Sequence, residues 1–199
     1  MHFDSPIFAT LAAARAEGLP ENLVAERVWG RHGMTCAMLA LDSSGMMRTS
    51  HALGIVHFLD RFMQARAAIE PLLAGRDCLG WRCFADNLFA EFLDTDSALA
   101  TARAMHAAIR ERGLMLTDDE PFRVGLAVGH GHVLENGRGG VMGAEMNLVA
   151  KLAEDVAAGG ETLITESARA SLGQLAGLEF EPQQRTISGI AVRYFRLRG

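Results

Sequence analysis

Two carboxylates are placed where chemistry is possible. Asp42 ends the apolar run Cys36-Ala-Met-Leu-Ala-Leu41 and opens the turn-forming set Asp42-Ser-Ser-Gly45, while Asp86 lies in Ala85-Asp86-Asn87 between two strand-like stretches. Taken alone, an acid at a strand end is usually a turn or cap residue. A pair brought together is different, because each carboxylate raises the pKa of the other unless a cation or a proton sits between them. Mg²⁺ suits such a pair, since it takes one or two carboxylates and fills its octahedron with substrate phosphates and water. The order Asp-x-x-Gly-Met around Asp42, with a helix predicted shortly after, makes the backbone of Ser44, Gly45, Met46 and Met47 a candidate cradle for polyphosphate oxygens. Asn147 and Lys151 are four residues apart and share a helical face, so an amide beside a cation can clamp a ribose and a phosphate; the same spacing also describes an ordinary surface pair.

The elements that must position these residues can be read from periodicity and turn chemistry. Ser5 and Pro6 open a helix over 7–16 that Gly18 stops, and 19–29 reads as a second short helix. A buried strand at 36–41 is followed by a long helix expected over 50–73, with Ile55, Leu59, Phe62 and Ile69 at helical spacing. Strands at 79–84 and 88–93 form a hairpin, and a helix spans 97–112. A strand at 122–128 leads through a Gly- and His-rich stretch and a turn at 136–140 to a helix at 144–157. A strand at 161–165, a short helix at 166–172 and a three-stranded meander at 178–181, 185–187 and 192–197 close the chain. The fold class is α+β: a ferredoxin-like βαββαβ core with extra C-terminal strands and helices mainly on one face. Residues 1–33 read as a helical segment and 34–199 as the main domain.

Composition narrows the function classes. The 199 residues are 49% hydrophobic and 22% charged, which is ordinary for a globular chain. A net charge of −5 lacks the basic surface that neutralises phosphates in a row, so neither nucleic acid nor an anionic membrane is an expected partner. No apolar run is long enough for a span, and the N-terminal apolar stretch follows Asp4 rather than basic residues, which points to the cytoplasm. Cys36, Cys78 and Cys83 have no metal-type spacing and read as buried thiols. His51 and His57 read as structural, and His130 and His132 as exposed at a strand end.

Taken in order, the motifs resemble the catalytic domain of the class III nucleotide cyclases, the adenylyl/guanylyl cyclase family, over roughly 35–197. They are the strand ending in Asp42-Ser-Ser-Gly45, the hairpin Trp81-Arg-Cys-Phe-Ala-Asp86-Asn-Leu-Phe-Ala-Glu-Phe92, the strand Arg123-Val-Gly-Leu-Ala-Val-Gly129, and the helix opening Gly143-Ala-Glu-Met-Asn147-Leu-Val-Ala-Lys151-Leu152. Gly159-Gly-Glu-Thr-Leu-Ile-Thr165 and Ile187-Ser-Gly189 before Tyr194-Phe195 complete the set, with the two acids 44 positions apart. The resemblance implies that Asp42 and Asp86, with the carbonyl of Ser43, hold two Mg²⁺ or Mn²⁺ ions. It implies that Asn147 orients the ribose and that Lys151 stands where the family usually has a phosphate-stabilising arginine. The implied reaction is attack of the ribose 3′ oxygen on the α-phosphate of a nucleoside triphosphate, releasing pyrophosphate, at sites shared between the subunits of a homodimer.

The pattern departs from that family at four positions. Arg82 stands where adenylyl cyclases have the lysine that reads adenine, and Gly140 where they have its partner aspartate, so these base-recognition positions leave the nucleotide open. Lys151 replaces a planar fork by a point charge. Ala85 stands in place of a glycine, which is tolerable if its φ is negative. A pyrimidine cyclase, and a catalytically weak nucleotide-binding regulatory module of the same fold, are the alternatives.

Overall fold

The structure, a computed structural model, describes residues 5–75, 77–137 and 140–198. Two helices come first, α1 (Pro6–Ala16) and α2 (Glu21–His32), followed by strand β1 (Gly33–Ser43). The chain continues through α3 (Met46–Leu53), α4 (Ile55–Ile69), β2 (Cys78–Phe84), β3 (Asn87–Phe92), α5 (Thr95–Glu111) and β4 (Val124–Glu135). It ends with β5 (Val141–Met142), α6 (Ala144–Asp155), β6 (Thr162–Thr165), α7 (Glu166–Ser171), β7 (Phe180–Ile187) and β8 (Ile190–Leu197).

All strands join one sheet in the order β2-β3-β1-β4-β6-β8-β7, with β5 paired to β4. The first four are the split βαβ arrangement, with β1 central between antiparallel β3 and β4. Its place explains its sequence. Residues 36–41 are consecutively buried because both faces of the strand are covered, which suppresses apolar/polar alternation. Ala37, Leu39 and Leu41 join a core with Phe58 and Phe62 of α4 and Leu99, Ala102 and Met105 of α5. Cys36, Met38 and Ala40 join a second core with Met146, Val149 and Leu152 of α6. Helices therefore cover both faces of the sheet, not mainly one. Gly129 of β4 lets α6 settle this close: a Cβ there would lie 2.2 Å from Val149 Cγ2.

Several boundaries differ from the sequence expectation for identifiable reasons. The single helix expected over 50–73 is two helices, broken where Gly54 adopts φ +87°. The break resets the phase, so Phe58, Phe62, Ala65 and Ile69 face the core while Ile55 and Leu59 are exposed. The Gly- and His-rich stretch after residue 128 is strand, because β4 pairs with β1 as far as Leu134. His132 is exposed there, as expected, where it stacks on Trp29 with centroids 4.7 Å apart and hydrogen-bonds to Thr35 Oγ1 at 3.2 Å. His57 donates to the carbonyl of Leu116 at 2.8 Å. The C-terminal meander is one long hairpin, β7–β8, turning at Ser188-Gly189. The expected turn at 136–140 includes residues 138 and 139, which lie outside the described residues.

The first N-terminal helix begins as the sequence suggests, with Ser5 Oγ accepting from the amide of Phe8, while the second, expected over 19–29, runs over Glu21–His32. Thr10 and His32 join α1 to α2 at 2.8 Å, and Ser5 also bonds Asn136 beyond β4. That contact lies at the end of β4 away from Asp42, which pairs with Gly125 at the opposite end.

Candidate active site

Residue alternation decides where Asp42 points. It follows Cys36, Met38 and Ala40 on one face of β1, and β1 continues through Ser43, so Asp42 is a strand residue and the turn begins only at Ser44. Asp86 occupies the two-residue turn between β2 and β3, beside β1. The two meet as the sheet order requires. Ser43 Oγ donates to the carbonyl of Asp86 at 3.3 Å, and Ser43 and Asp86 are both buried. The Asn87 amide, oriented to suit its neighbours, donates to Asp42 Oδ1 at 2.9 Å and to the carbonyl of Leu41 at 3.3 Å.

Electrostatics mark the pair as incomplete. Burial, then the charge of Asp86, then Glu154 and Asp155 of α6 push the Asp42 carboxyl up to about 7, against the opposing hydrogen bond from the Ser43 backbone. Burial also raises Asp86, opposed by a bond from its own backbone N–H. Among the described residues neither acid has a Lys, Arg or His ion-pair partner, and no cluster of three or more metal-type side chains occurs. A half-buried Asp42 and a buried Asp86 with no protein cation among the described residues fit a hard divalent ion that also draws ligands from a substrate.

Ala85 supplies the turn that carries Asp86, and its φ is +53°. The expectation of a negative φ is corrected here. A two-residue hairpin places this position in the left-handed region, where a Cβ is strained. On the other side of Asp42, Gly45 (φ +90°) caps α3, whose first-turn N–H groups at Met46 and Met47 have no intrahelical acceptor. The Ser44 N–H is already committed, donating to the carbonyl of Arg123 at 3.0 Å.

Asn147 and Lys151 are exposed on one face of α6 and line an open groove of about 580 Å³ whose other wall is Ile187, Ser188, Ile190 and Val192 of the β7–β8 hairpin. Lys151 Nζ sits 3.1 Å from Asp155 and 3.9 Å from Glu154. Both partners are exposed enough for this pairing to be weak and easily exchanged for a phosphate. No hydrogen bond or ion pair among the described residues joins Asn147 or Lys151 to Asp42 or Asp86.

Arg82 and Gly140 are brought into contact, 58 positions apart in sequence: a Cβ at Gly140 would fall 1.7 Å from Arg82 Nη1. Arg82 also donates to Glu91 and covers the ring of Phe89. Sequence reasoning passed over Glu91 and Asn87. An acid inside the apolar strand Asn-Leu-Phe-Ala-Glu-Phe was the available signal, since a buried carboxylate needs a partner.

No family model and no curated protein matches the chain. Among solved structures it is similar to an adenylate/guanylate cyclase/hydrolase from Silicibacter pomeroyi, at 20% identity and a TM-score of 0.66 over 83% of this chain and 96% of that one. It is also similar to the adenylyl cyclase CyaB from P. aeruginosa, at 15% identity and a TM-score of 0.66 over 84% and 96%. The catalytic core of a rhodopsin-guanylyl cyclase with converted specificity, in complex with ATPalphaS, matches at 10% identity with a TM-score of 0.69 over 83% and 98%. With its split βαβ core, central β1 and appended hairpin, this chain has the fold of class III adenylyl and guanylyl cyclase catalytic domains.

Proposed function

We propose that the protein is a nucleotide cyclase, converting a nucleoside triphosphate to a 3′,5′-cyclic nucleotide and pyrophosphate. The observation that carries this reading is the uncompensated pair Asp42 and Asp86, both raised by burial and Asp42 also by the charge of Asp86, beside a helix start that offers free N–H groups. Asp42 and Asp86, with the Ser43 carbonyl, would hold two Mg²⁺ or Mn²⁺ ions. When bound, these ions supply charge neutralisation at the phosphates and a lowered pKa for the ribose 3′ hydroxyl. Gly45, Met46 and Met47 direct backbone donors at the β- and γ-phosphates. Asn147 fixes the ribose through its amide, and Lys151 gives up its exposed acids to hold the charge developing on the α-phosphate.

A homodimer belongs to this reading. Large apolar side chains are exposed beside each half-site: Met47 (87%) and Phe84 (77%) near the acids, Ile190 (67%) near Asn147. A twofold pairing that sets one chain's acids against the other's α6 covers both groups and completes two equivalent sites. Residues 1–33 then form an appendage to a catalytic unit at 34–199. No described helix is long and apolar enough to cross a membrane, and we assign the protein to the cytoplasm, where Cys36, Cys78 and Cys83 stay reduced.

Incubation of the purified protein with GTP, CTP, ATP and UTP and Mn²⁺, read by mass detection, is expected to give a cyclic product. Asp86→Ala should lower the rate at least about 100-fold with an unchanged circular dichroism spectrum. Unaltered turnover in that variant would remove the acids from the mechanism.

A further inference from the structure

Arg82 is held with unusual care for a residue on an edge strand. Its Nη1 donates to Glu91 Oε1 at 2.5 Å, its guanidinium carbon lies 5.3 Å from the centroid of Phe89, and the backbone of Gly140 presses against it. The Glu91 side chain is only 8% exposed and that of Arg82 26%. Glu91 also lies close enough to Cys36 to help burial raise that thiol, so the carboxylate belongs to the protein interior. A buried ion pair is weak support for folding, because apolar side chains of equal volume serve as well. Here the pair has a geometric consequence. Glu91 occupies Nη1 and leaves the Nε–Nη2 edge, two parallel N–H donors, with no acceptor among the described residues. Gly140 cannot carry any side chain while the guanidinium stands there, since a Cβ would lie 1.9 Å from Cζ and 2.4 Å from Nη2.

We propose that Glu91 is a positioning residue that locks Arg82 as a donor-only fork, and that this fork selects a base with two acceptors side by side on one edge, guanine or cytosine. The inference rests on the cyclase reading and on Arg82 and Gly140 as its base-recognition positions. Guanine offers O6 and N7 to such a fork. Cytosine offers O2 and N3. Adenine places an amino donor beside N1 and N7, and uracil places N3–H between its carbonyls, so each sets a donor against a donor. A site built for hydrogen bonds rejects a base that leaves them unpaired far more strongly than a merely apolar pocket does.

The test measures kcat/KM for GTP, CTP, ATP and UTP with Mn²⁺, beside the thermal shift each nucleotide produces. GTP or CTP is expected to exceed both ATP and UTP by at least about tenfold, and the panel shows which of the two it is. Glu91→Gln should raise KM for the preferred nucleotide about tenfold while kcat changes less than about threefold, since the fork loses its anchor but the acids and α6 are untouched. Arg82→Lys, which keeps the charge and loses the fork, should flatten the preference even if Glu91→Gln fails to fold. Preference for ATP or UTP, or discrimination unchanged in Arg82→Lys, overturns this proposal and leaves the cyclase reading standing. Selective stabilisation by GTP or CTP with no cyclic product supports the fork and overturns the cyclase reading. No product and no stabilisation by any of the four overturns both.

Discussion

Asp42 carries a cost that a bound cation would remove. Its carboxyl, near 3.8 when unfolded, is pushed up to about 7 in the folded chain. Between those values the folded state binds the extra proton, so stability falls as pH rises from about 4 to about 7 and the full penalty remains above that. In metal-free protein at pH 8, Asp42→Asn is therefore expected to raise Tm by a few degrees, about what 1–2 kcal/mol gives at this chain length once solvent reaching the half-buried Asp42 is allowed for. The difference should close toward pH 4, and a variant less stable than wild type at pH 8 would show that the acids do not repel. Mn²⁺ should stabilise wild type more at pH 8 than at pH 5, because protons compete for the same oxygens. Ala85 is a second strained residue. With φ +53° it pays for its Cβ in the turn that presents Asp86, and Ala85→Gly should stabilise by about 1 kcal/mol, read as a shift of the urea midpoint at constant slope.

Among the elements, α6 is closely fitted to the sheet. It carries Asn147 and Lys151 on its outer face and is seated through Val149 and Leu152 against β1 and β4. Gly129 allows that approach, since a Cβ there would overlap Val149. Gly129→Ala should lower stability by about 1–3 kcal/mol through overpacking. It should also reduce turnover more than it reduces nucleotide binding, because the helix shifts relative to the acids. Equal Tm values for variant and wild type in differential scanning calorimetry would show that α6 has room to spare. The break at Gly54 acts at the same scale: it turns α4 so that Phe58 and Phe62 enter the core while Val56 and Met63 stay exposed.

At the scale of the whole molecule, the proposed division of the site between two chains makes subunit pairing testable by mixing. Asp86→Ala lacks one half-site and Asn147→Ala the other. Each alone should be nearly inactive, and an equal mixture should recover about a quarter of wild-type turnover, because half the dimers are mixed and each mixed dimer holds one intact site. An inactive mixture of correctly folded variants would place both half-sites within one chain.

Much of this was legible in the chain before folding. The apolar run at 36–41, the helix stops and the hairpin around Asp86 are local signals of burial and turn chemistry, and they mark where strands end and acids emerge. Pattern alone also separates Asn147 and Lys151 from the rest of their helix. Phase, side and partner were not legible, because each depends on what packs against what. Gly54 reset the register of α4, the continued β1–β4 ladder turned an expected loop into strand, and the φ of Ala85 followed from a two-residue turn. Glu91 reaches Arg82 across the hairpin, nine residues away, but only the tertiary structure set Gly140 against Arg82, since residues 58 positions apart meet through sheet order and close approach, which leave no periodic trace in the sequence.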